Sequence, residues 1–497
     1  MKWKSKSENR CLAMALLLGF LCACNPAPKY VKPPAPTPSA FKETLPPGYK
    51  EGAGWKVAEP GDDKIRAKWW ELYNDPQLNE LEEQVSISNQ TIAAAEANFR
   101  AARALVVSGR SALLPTLTAA PGYTNSRTSA TARSSRAPVT TTLNTFTMPL
   151  DLSYTVDFWH RIRNTIEANA DSAQASAADV ATALLSTQSE LATIYLELRA
   201  VDMQRRILID TLANYRQALD LTTTLYRTGI NSEQEVVQAQ TQVNVTTAQT
   251  TDLGVARSQF EHAIATLIGR PASNFTLAAA PFAVNPPTIP VAIPSALLER
   301  RPDIAALERQ VAAANALIGV ARAAYYPNLT LSASAGFQTS DFTQWFTWPS
   351  RFWSVGPVLS QTLFDGGARH ALNAQAQAQY DAAVANYRQT VLVSFQAVED
   401  ELAALRILSQ EATEQHAAVT SSTRYLDLAN TRFRTGVDSY LNVIIAQTSL
   451  LNNRQAEVQV QLRQMTASVA LILALGGGWD NSQLPQMKDL TARSATP

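Results

Sequence analysis

The chain is poor in cysteine and histidine and carries no excess charge of either sign. Its 497 residues include three cysteines, all within the first two dozen positions, and four scattered histidines. These ligands show no metal-site spacing, so the sequence predicts no metal. Lys and Arg together number 42, as do Asp and Glu, and no long basic run occurs. Nucleic acid is not expected as a partner, because neutralising phosphates requires a basic surface.

Signatures of catalysis are also missing. The sequence has no Gly-x-Ser-x-Gly elbow, phosphate loop or dinucleotide fingerprint. The run Gly476-Gly477-Gly478 follows a predicted helix, and we interpret it as a helix stop. The acid pairs Glu82-Glu83 and Glu399-Asp400 fall in helical patterns, which favours solvated helix faces over a general acid and base. The sequence therefore predicts a protein that is not an enzyme and has no catalytic cofactor.

The N-terminus has the pattern of an export signal. A basic start precedes an apolar run at residues 12–21 that is too short to span a bilayer. It ends in Leu21-Cys22-Ala23-Cys24, which resembles a bacterial lipobox, where cleavage precedes a cysteine that is then acylated. We predict a signal peptide at 1–23 and a covalent lipid on Cys24; the alternative is an ordinary signal peptide with a stray cysteine. Asn25, in place of an aspartate that retains lipoproteins on the inner membrane, favours the outer membrane.

Acylation of Cys24 would leave the mature chain without a free thiol or a disulfide, so its stability must come from packing. Residues 26–60 are rich in Pro, Gly and Lys, and the segment 24–68 is predicted to form an extended tether.

The rest of the chain contains the same pattern twice, about 207 residues apart. Tyr226-Arg227-Thr228-Gly229 aligns with Phe433-Arg434-Thr435-Gly436, and Gly269 aligns with Gly476. A period this long is typical of a duplicated half-protein rather than a solenoid. The predicted repeats span 69–285 and 286–479, and a C-terminal tail follows at 480–497.

Each repeat holds a long proline-free stretch of helix-favouring residues, at about 150–270 and 358–484. In the second, apolar residues recur at alternating spacings of four and three, a coiled-coil seam: Val391, Phe395, Val398, Leu402 and Leu405. A helical arm over residues 163–228 would be roughly 100 Å long at about 1.5 Å per residue.

Each stretch breaks once, so each repeat is predicted to contain a helical hairpin. Gly229 and Gly436 suit the left-handed position after a helix C-terminus. Ser232 with Glu235 predicts a capping box for the next helix, and Asp438 or Ser439 could cap its counterpart.

Before each long arm the apolar period changes to two, at residues 150–158 and 329–338. With further strands near 113–124 and 352–364, this predicts hairpins near 113–158 and 327–364. Four strands cannot close a barrel, and an outer-membrane sheet must close with at least eight. Several copies must therefore pool their strands; two copies would give eight and three would give twelve.

An ordered set of motifs carries a family resemblance. These are Trp69-Trp70, Asp75-Pro76-Gln77-Leu78, the run Leu297-Leu298-Glu299-Arg300-Arg301-Pro302-Asp303-Ile304, Tyr326-Pro327, Leu363-Phe364-Asp365-Gly366-Gly367, the two Arg-Thr-Gly turns and Leu475-Gly476-Gly477-Gly478-Trp479. Through them the chain resembles the TolC/NodT-type outer-membrane factors, the efflux lipoproteins of resistance-nodulation-division (RND) systems.

The resemblance implies an α+β membrane protein that forms a homotrimer. Twelve strands, four per protomer, would form one outer-membrane barrel, and a periplasmic coiled-coil tunnel of helices would continue it. It also implies a periplasmic adaptor and an inner-membrane RND transporter as partners. The turns Arg227-Thr228-Gly229 and Arg434-Thr435-Gly436 would meet the adaptor.

One departure from the family concerns the tunnel entrance. Where family members commonly carry an Asp and an Arg that hold the entrance closed, this chain has Ile445 and Thr448. We therefore predict an apolar constriction of Leu441 and Ile445 that gates by dewetting. Asp438 could add a ring of three carboxylates in the trimer.

These features together predict a passive exit duct for the efflux of drugs or small solutes. Two alternatives stay open at this stage. One is the same kind of duct serving an ATP-driven type I secretion system. The other is a lipid-anchored coiled-coil scaffold or adhesin without a pore, although the four alternating strands would then have little to do.

Overall fold

The computed structural model describes residues 25–43, 68–127, 129, 142–282, 286, 287, 289 and 298–491. Its helices are α1 (Pro76–Ser88), α2 (Gln90–Ser111), α3 (Arg161–Arg227), α4 (Glu233–Leu267), α5 (Pro302–Ala323), α6 (Ala368–Arg434), α7 (Tyr440–Ala474) and α8 (Met487–Thr491). Its strands are β1 (Thr116–Ala119), β2 (Gly122–Arg127), β3 (Thr142–Val156), β4 (Asn328–Thr339) and β5 (Arg351–Ser360).

The helices confirm the predicted hairpins. The long arms α3 and α6 each have 67 residues, and the short arms α4 and α7 each have 35. At about 1.5 Å per residue each long arm extends roughly 100 Å. Helix α3 packs on α4 and α6 packs on α7, while α5 contacts both long arms. In the described part of the chain α5 alone has the length and apolar composition of a membrane span, but 61% of it is buried, so it is a core helix.

The predicted coiled-coil seam of α6 forms part of the main core. Val391, Phe395, Val398, Leu402 and Leu405 are all buried there. Each such side chain contributes about 1.5–3 kcal/mol by its removal from water. The narrow seam therefore holds a helix whose remaining surface is largely exposed.

The strands form one antiparallel sheet in the order β1-β3-β4-β5, with β2 also paired to β3. Strands β1 and β2 follow one another along the same edge of β3. They act as one strand interrupted at Ala120 and Pro121, because proline has no N–H for the ladder. The prediction of four strands therefore holds, with one of them split. The observed bounds differ by a few residues from those expected, and Phe158 lies beyond β3.

The register sorts the sheet into an apolar and a polar face. Leu117, Leu152, Ala333 and Val355 lie opposite one another across successive strands. The next row is Thr118, Asp151, Ser334 and Ser354. Directly paired residues share a face and neighbours along a strand alternate, so the apolar row faces one side and the polar row the other. Leu117 and Val355 are exposed in the isolated chain, which means that no described residue covers this part of the apolar face.

The described part of the predicted tether, residues 25–43, is docked along the helices; we call it the N-terminal strap. The Tyr30 hydroxyl donates to the Glu308 carboxylate at 2.6 Å. The backbone N–H groups of Lys42 and Glu43 donate to the two carboxylate oxygens of Glu399 at 2.7 and 2.9 Å. The strap is therefore extended but bound, not a free linker. Cys24 and residues 44–67 lie outside the described residues.

The interpretation of two acid pairs as solvated faces was wrong for two residues. Glu82 is fully buried, since α1 packs on α3 through the stripe Leu78, Leu81, Glu82 and Val85. Burial raises the pKa of Glu82 to about 9. Glu399, as described above, binds the strap. Periodicity placed these acids on helices but did not show which helix face was covered.

Candidate functional site at the hairpin tips

Both helical hairpins end in the same backbone motif. In the first, Gly229 N–H donates to Tyr226 and Ile230 N–H to Leu225, both at 2.9 Å. In the second, Gly436 N–H donates to Phe433 and Val437 N–H to Arg432, both at 3.0 Å. This is the Schellman pattern, which satisfies the last helix carbonyls. The φ angles of +76° at Gly229 and +72° at Gly436 confirm the predicted left-handed glycines.

The threonine of each Arg-Thr-Gly turn is used internally. The Thr228 hydroxyl donates to the Leu225 carbonyl at 2.9 Å, and the Thr435 hydroxyl donates to Arg432 at 3.0 Å. The arginines Arg227 and Arg434 are exposed at the helix ends. The tips therefore offer guanidinium groups, while their threonines stabilise the turn.

Sequence reasoning missed the apolar residue that follows each glycine. Ile230 is 71% exposed and Val437 is 63% exposed. Each occupies the position after the left-handed glycine, where an apolar residue commonly contacts the preceding helix turn. Each tip therefore has an exposed apolar side chain close to an arginine. The sequence could have indicated this, because Ile230 and Val437 occupy equivalent positions in the two repeats.

The predicted helix starts are confirmed, but the predicted capping hydrogen bonds were wrong. Ser232 and Ser439 hold the N-cap positions, but neither side chain makes a capping hydrogen bond. Ser232 is exposed, so water can satisfy the same N–H groups. Asp438 has other partners: its carboxylate accepts hydrogen bonds from Arg432 Nε at 2.7 Å and from Asn442 Nδ2 at 2.9 Å. The guanidinium of Arg432 also lowers the pKa of Asp438.

The predicted gate residues are brought only partly together. Leu441 and Ile445 lie one turn apart on α7 and are each 48% exposed, so they form one apolar stripe. Asp438 stands just before that helix in its ion pair with Arg432. Thr448 is half-buried and lies beside Tyr215 of α3. Thr448 thus faces the neighbouring helix, and the exposed stripe consists of Leu441 and Ile445.

The two long helical hairpins, the connecting core helices and the sheet with one exposed apolar face define the class of outer-membrane channel subunits. The sequence model of the outer membrane efflux protein family matches residues 81–270 and 293–477. The chain belongs to that family.

Relatives of known role extend over nearly the whole chain. It is 31% identical over 485 residues to the pyoverdine export outer membrane protein OpmQ of Pseudomonas aeruginosa, covering 96% of this chain and 98% of that protein. It is also 31% identical over 484 residues to the solvent efflux pump outer membrane protein SrpC of Pseudomonas putida, covering 97% and 100%.

Solved structures agree. The outer-membrane channel OprN superposes with a TM-score of 0.83 at 27% identity, covering 92% of this chain and 100% of that one. The open state of the MtrE channel of Neisseria gonorrhoeae gives 0.78 at 25% identity, covering 92% and 98%. The protein is therefore an outer-membrane transport protein that provides the exit duct of an efflux pump, which confirms the function and location predicted from the sequence.

Proposed function

We propose that the protein acts as a homotrimer in which three four-stranded sheets close into one twelve-stranded barrel. The observation that carries this proposal is that both edges of the sheet lack a neighbouring strand among the described residues. Among the described strands, β5 pairs only with β4, and β1 and β2 pair only with β3. Their outer backbone groups need partners in a membrane. Joining β5 of one copy to β1 and β2 of the next supplies them and turns the apolar face towards lipid.

In this arrangement the helices of the three copies continue the barrel as a periplasmic tunnel. Transport through it is passive, and the duct performs no chemistry. The driving force comes from an inner-membrane RND transporter, joined through a periplasmic adaptor. Relatives named for pyoverdine export and solvent efflux favour drugs or small solutes as cargo over the proteins carried by an ATP-driven type I secretion system.

The position of the strap supports the lipid anchor. The side-chain amides of Asn25 and Asn164 exchange hydrogen bonds at 3.1 and 3.4 Å. Asn164 lies in the first turn of α3, a few residues after β3 ends at Val156. Residue 25 therefore sits where the helices meet the sheet. A lipid on Cys24, after removal of a signal peptide at 1–23, would enter the membrane beside the barrel.

At the opposite end, the turns Arg227-Thr228-Gly229 and Arg434-Thr435-Gly436 would contact the adaptor. The exposed stripe of Leu441 and Ile445 would line the closed entrance, with Asp438 next to it. Three copies of an apolar stripe around one axis would form a constriction that excludes water when narrow.

Planar-bilayer conductance of the purified, detergent-extracted protein, combined with crosslinking to count subunits, tests the proposal. Discrete channels from a trimer are expected. A non-conducting monomer would contradict it and favour an anchored scaffold. For the entrance, Ile445→Asp should shorten the closed lifetime and raise conductance, whereas Ile445→Val keeps an apolar stripe and should behave as the natural chain. Equal behaviour of both variants would exclude the apolar gate without bearing on the trimer.

A further inference from the structure

A cavity lies just behind the tip of the second hairpin, between α3, α6 and α7. Its volume is about 250 Å³, and its lining includes Tyr215 of α3, Arg434 of α6 and Tyr440, Gln447 and Arg454 of α7. Drug-sized ligands usually occupy pockets of about 300–1,000 Å³. This cavity therefore suits a smaller molecule than the cargo of an efflux pump.

Polar atoms in the cavity wall lack partners. Tyr440 is 2% exposed and Tyr215 is 1% exposed. Among the described residues, the Tyr440 hydroxyl and the amide oxygen of Gln447 have no hydrogen bond, and the Tyr215 hydroxyl has only the side chain of Thr448 beside it. Buried polar groups in native proteins are nearly always bonded. Two such atoms around one cavity indicate an occupant that can bond to them.

The charges of the lining have one sign. It contains Arg434 and Arg454 but no aspartate or glutamate. Neither arginine forms an ion pair with a described residue. The tyrosine hydroxyls can donate hydrogen bonds, and rotation of the Gln447 amide would turn its NH₂ group inward. The wall can thus present two positive charges and several donors to one molecule.

We propose that this cavity binds a small oxyanion, a phosphate or a short carboxylate. Arginine pairs favourably with both groups, and hydroxyl donors would satisfy the remaining oxygens. The anion would link α3 to α6 and α7 directly behind the stripe of Leu441 and Ile445. Occupancy would therefore strengthen the packing that positions the second hairpin.

The duplication provides an internal comparison. At an offset of 207, Glu233 stands in place of Tyr440, Thr247 in place of Arg454 and Ser422 in place of Tyr215. The equivalent position behind the first hairpin thus gains a carboxylate and loses a guanidinium and both aromatic hydroxyls. One site per chain is expected, and it belongs to the second hairpin.

Isothermal titration of the full-length, detergent-solubilised protein with inorganic phosphate, and separately with succinate, tests the site at constant ionic strength. Saturable binding of one anion per chain is expected. The anion that binds more tightly shows whether the site prefers a phosphate or a carboxylate. Tyr440→Phe keeps the ring and removes the hydroxyl, and Arg454→Gln removes the charge. Each should weaken binding roughly ten-fold. Arg463→Gln, on the same helix but paired with Glu411, should leave it unchanged.

Thermal unfolding gives a second readout, since a ligand that binds only the folded state raises the melting temperature. The natural chain should gain stability in phosphate over chloride, and Arg454→Gln should lose most of that gain. Absence of saturable binding of either anion would overturn the proposal and leave water as the occupant. Equal affinities in the natural chain and Arg454→Gln would also overturn it, even if Tyr440→Phe fails to fold.

Discussion

The two helical hairpins have the same backbone but different charged partners. Their arms have equal lengths, and their turns share one hydrogen-bond pattern. In the first hairpin, Arg199, Asp202, Arg257 and Glu261 form a connected ionic network. At the same positions the second hairpin has Arg406, Ser409, Gln464 and Ser468. Duplication thus kept the helices, while the groups that fasten them to the rest of the chain diverged.

The network of the first hairpin is internal to its own repeat. Asp202 binds Arg199 at 3.1 Å and Arg257 at 2.8 Å. The two guanidinium groups also donate to the carbonyls of Ala278 and Leu277, at 2.8 and 2.6 Å. These bonds join α3, α4 and the segment after α4, and each of the four charged groups has an ionic partner.

The second hairpin is fastened by the N-terminal strap instead. Arg406, the counterpart of Arg199, donates to the Glu43 carboxylate at 2.7 Å. Glu399 accepts the two backbone N–H groups described above. In the second hairpin the N-terminal strap, which precedes both repeats, therefore occupies the place that residues 277 and 278 fill in the first hairpin. The hairpin with the predicted gate depends on a segment attached to the proposed lipid anchor.

The largest expected effect comes from breaking the network of the first hairpin. Asp202→Asn would keep the shape of the side chain but leave Arg199, which is 1% exposed, without its anionic partner. Removing one partner of a buried ion pair costs about 3–5 kcal/mol. Denaturant unfolding in detergent should show this loss. Ser409→Ala, at the equivalent position, should cost less than about 1 kcal/mol; equal losses would contradict an asymmetric network.

The second prediction concerns Glu82, a buried acid of the first repeat that, unlike Asp202, has no hydrogen-bond partner among the described residues. Its pKa is raised by burial to about 9, while in the unfolded chain it is about 4.3. Between these values the folded protein holds a proton that the unfolded chain releases. Stability should therefore fall as pH rises, by about 1.4 kcal/mol per pH unit.

Glu82→Gln should remove that slope. The free energy of unfolding of the variant, measured relative to that of the natural chain, should therefore rise by about 3 kcal/mol between pH 6 and pH 8. Unfolding midpoints measured across this range would show it. Glu83→Gln, at the exposed neighbouring position, is the matched control and should retain the slope of the natural chain. A slope that survives in Glu82→Gln would mean that another group titrates.

The third prediction addresses the fastening of the second hairpin. Glu399→Gln keeps one acceptor oxygen but places an NH₂ group against a backbone donor, which should cost about 2 kcal/mol of strap docking. Trypsin cleavage after Lys42, whose peptide bond is held there, should become roughly thirty-fold faster. Glu411→Gln breaks only the exposed pair with Arg463, and its cleavage rate should match the natural chain. Unchanged cleavage in Glu399→Gln would show that the strap is held elsewhere.

These features also mark what the sequence could and could not predict. The left-handed glycines, the α6 seam and the alternating strands depend on residues close together in the chain, so local patterns revealed them. Glu82, Glu399 and Asp438 were misjudged because each is decided by a spatial partner or covering helix that periodicity does not specify. The contact of Lys42 with Glu399 spans 357 positions. The resemblance supplied the family, whereas the strap and the tip cavity required three-dimensional structure.

The smallest expected effect lies at the hairpin turns. Within the described part of the chain, the second turn has an ion pair, between Asp438 and Arg432, and the first has none; it has Asn231 and Leu225 at these positions. Arg432 lowers the pKa of Asp438, so the ion pair should stabilise the turn at any pH above the ordinary pKa of an aspartate. This stabilisation should be lost as the pH falls below about 4 and through the pKa that Asp438 has in the folded protein. Asp438→Asn should speed amide exchange at Gly436 and Val437 without changing global unfolding, since exposed pairs add little.

Asn231→Asp adds a carboxylate without a guanidinium and should give the first turn no protection. If it does, backbone dipoles rather than Arg432 would account for the protection at both turns.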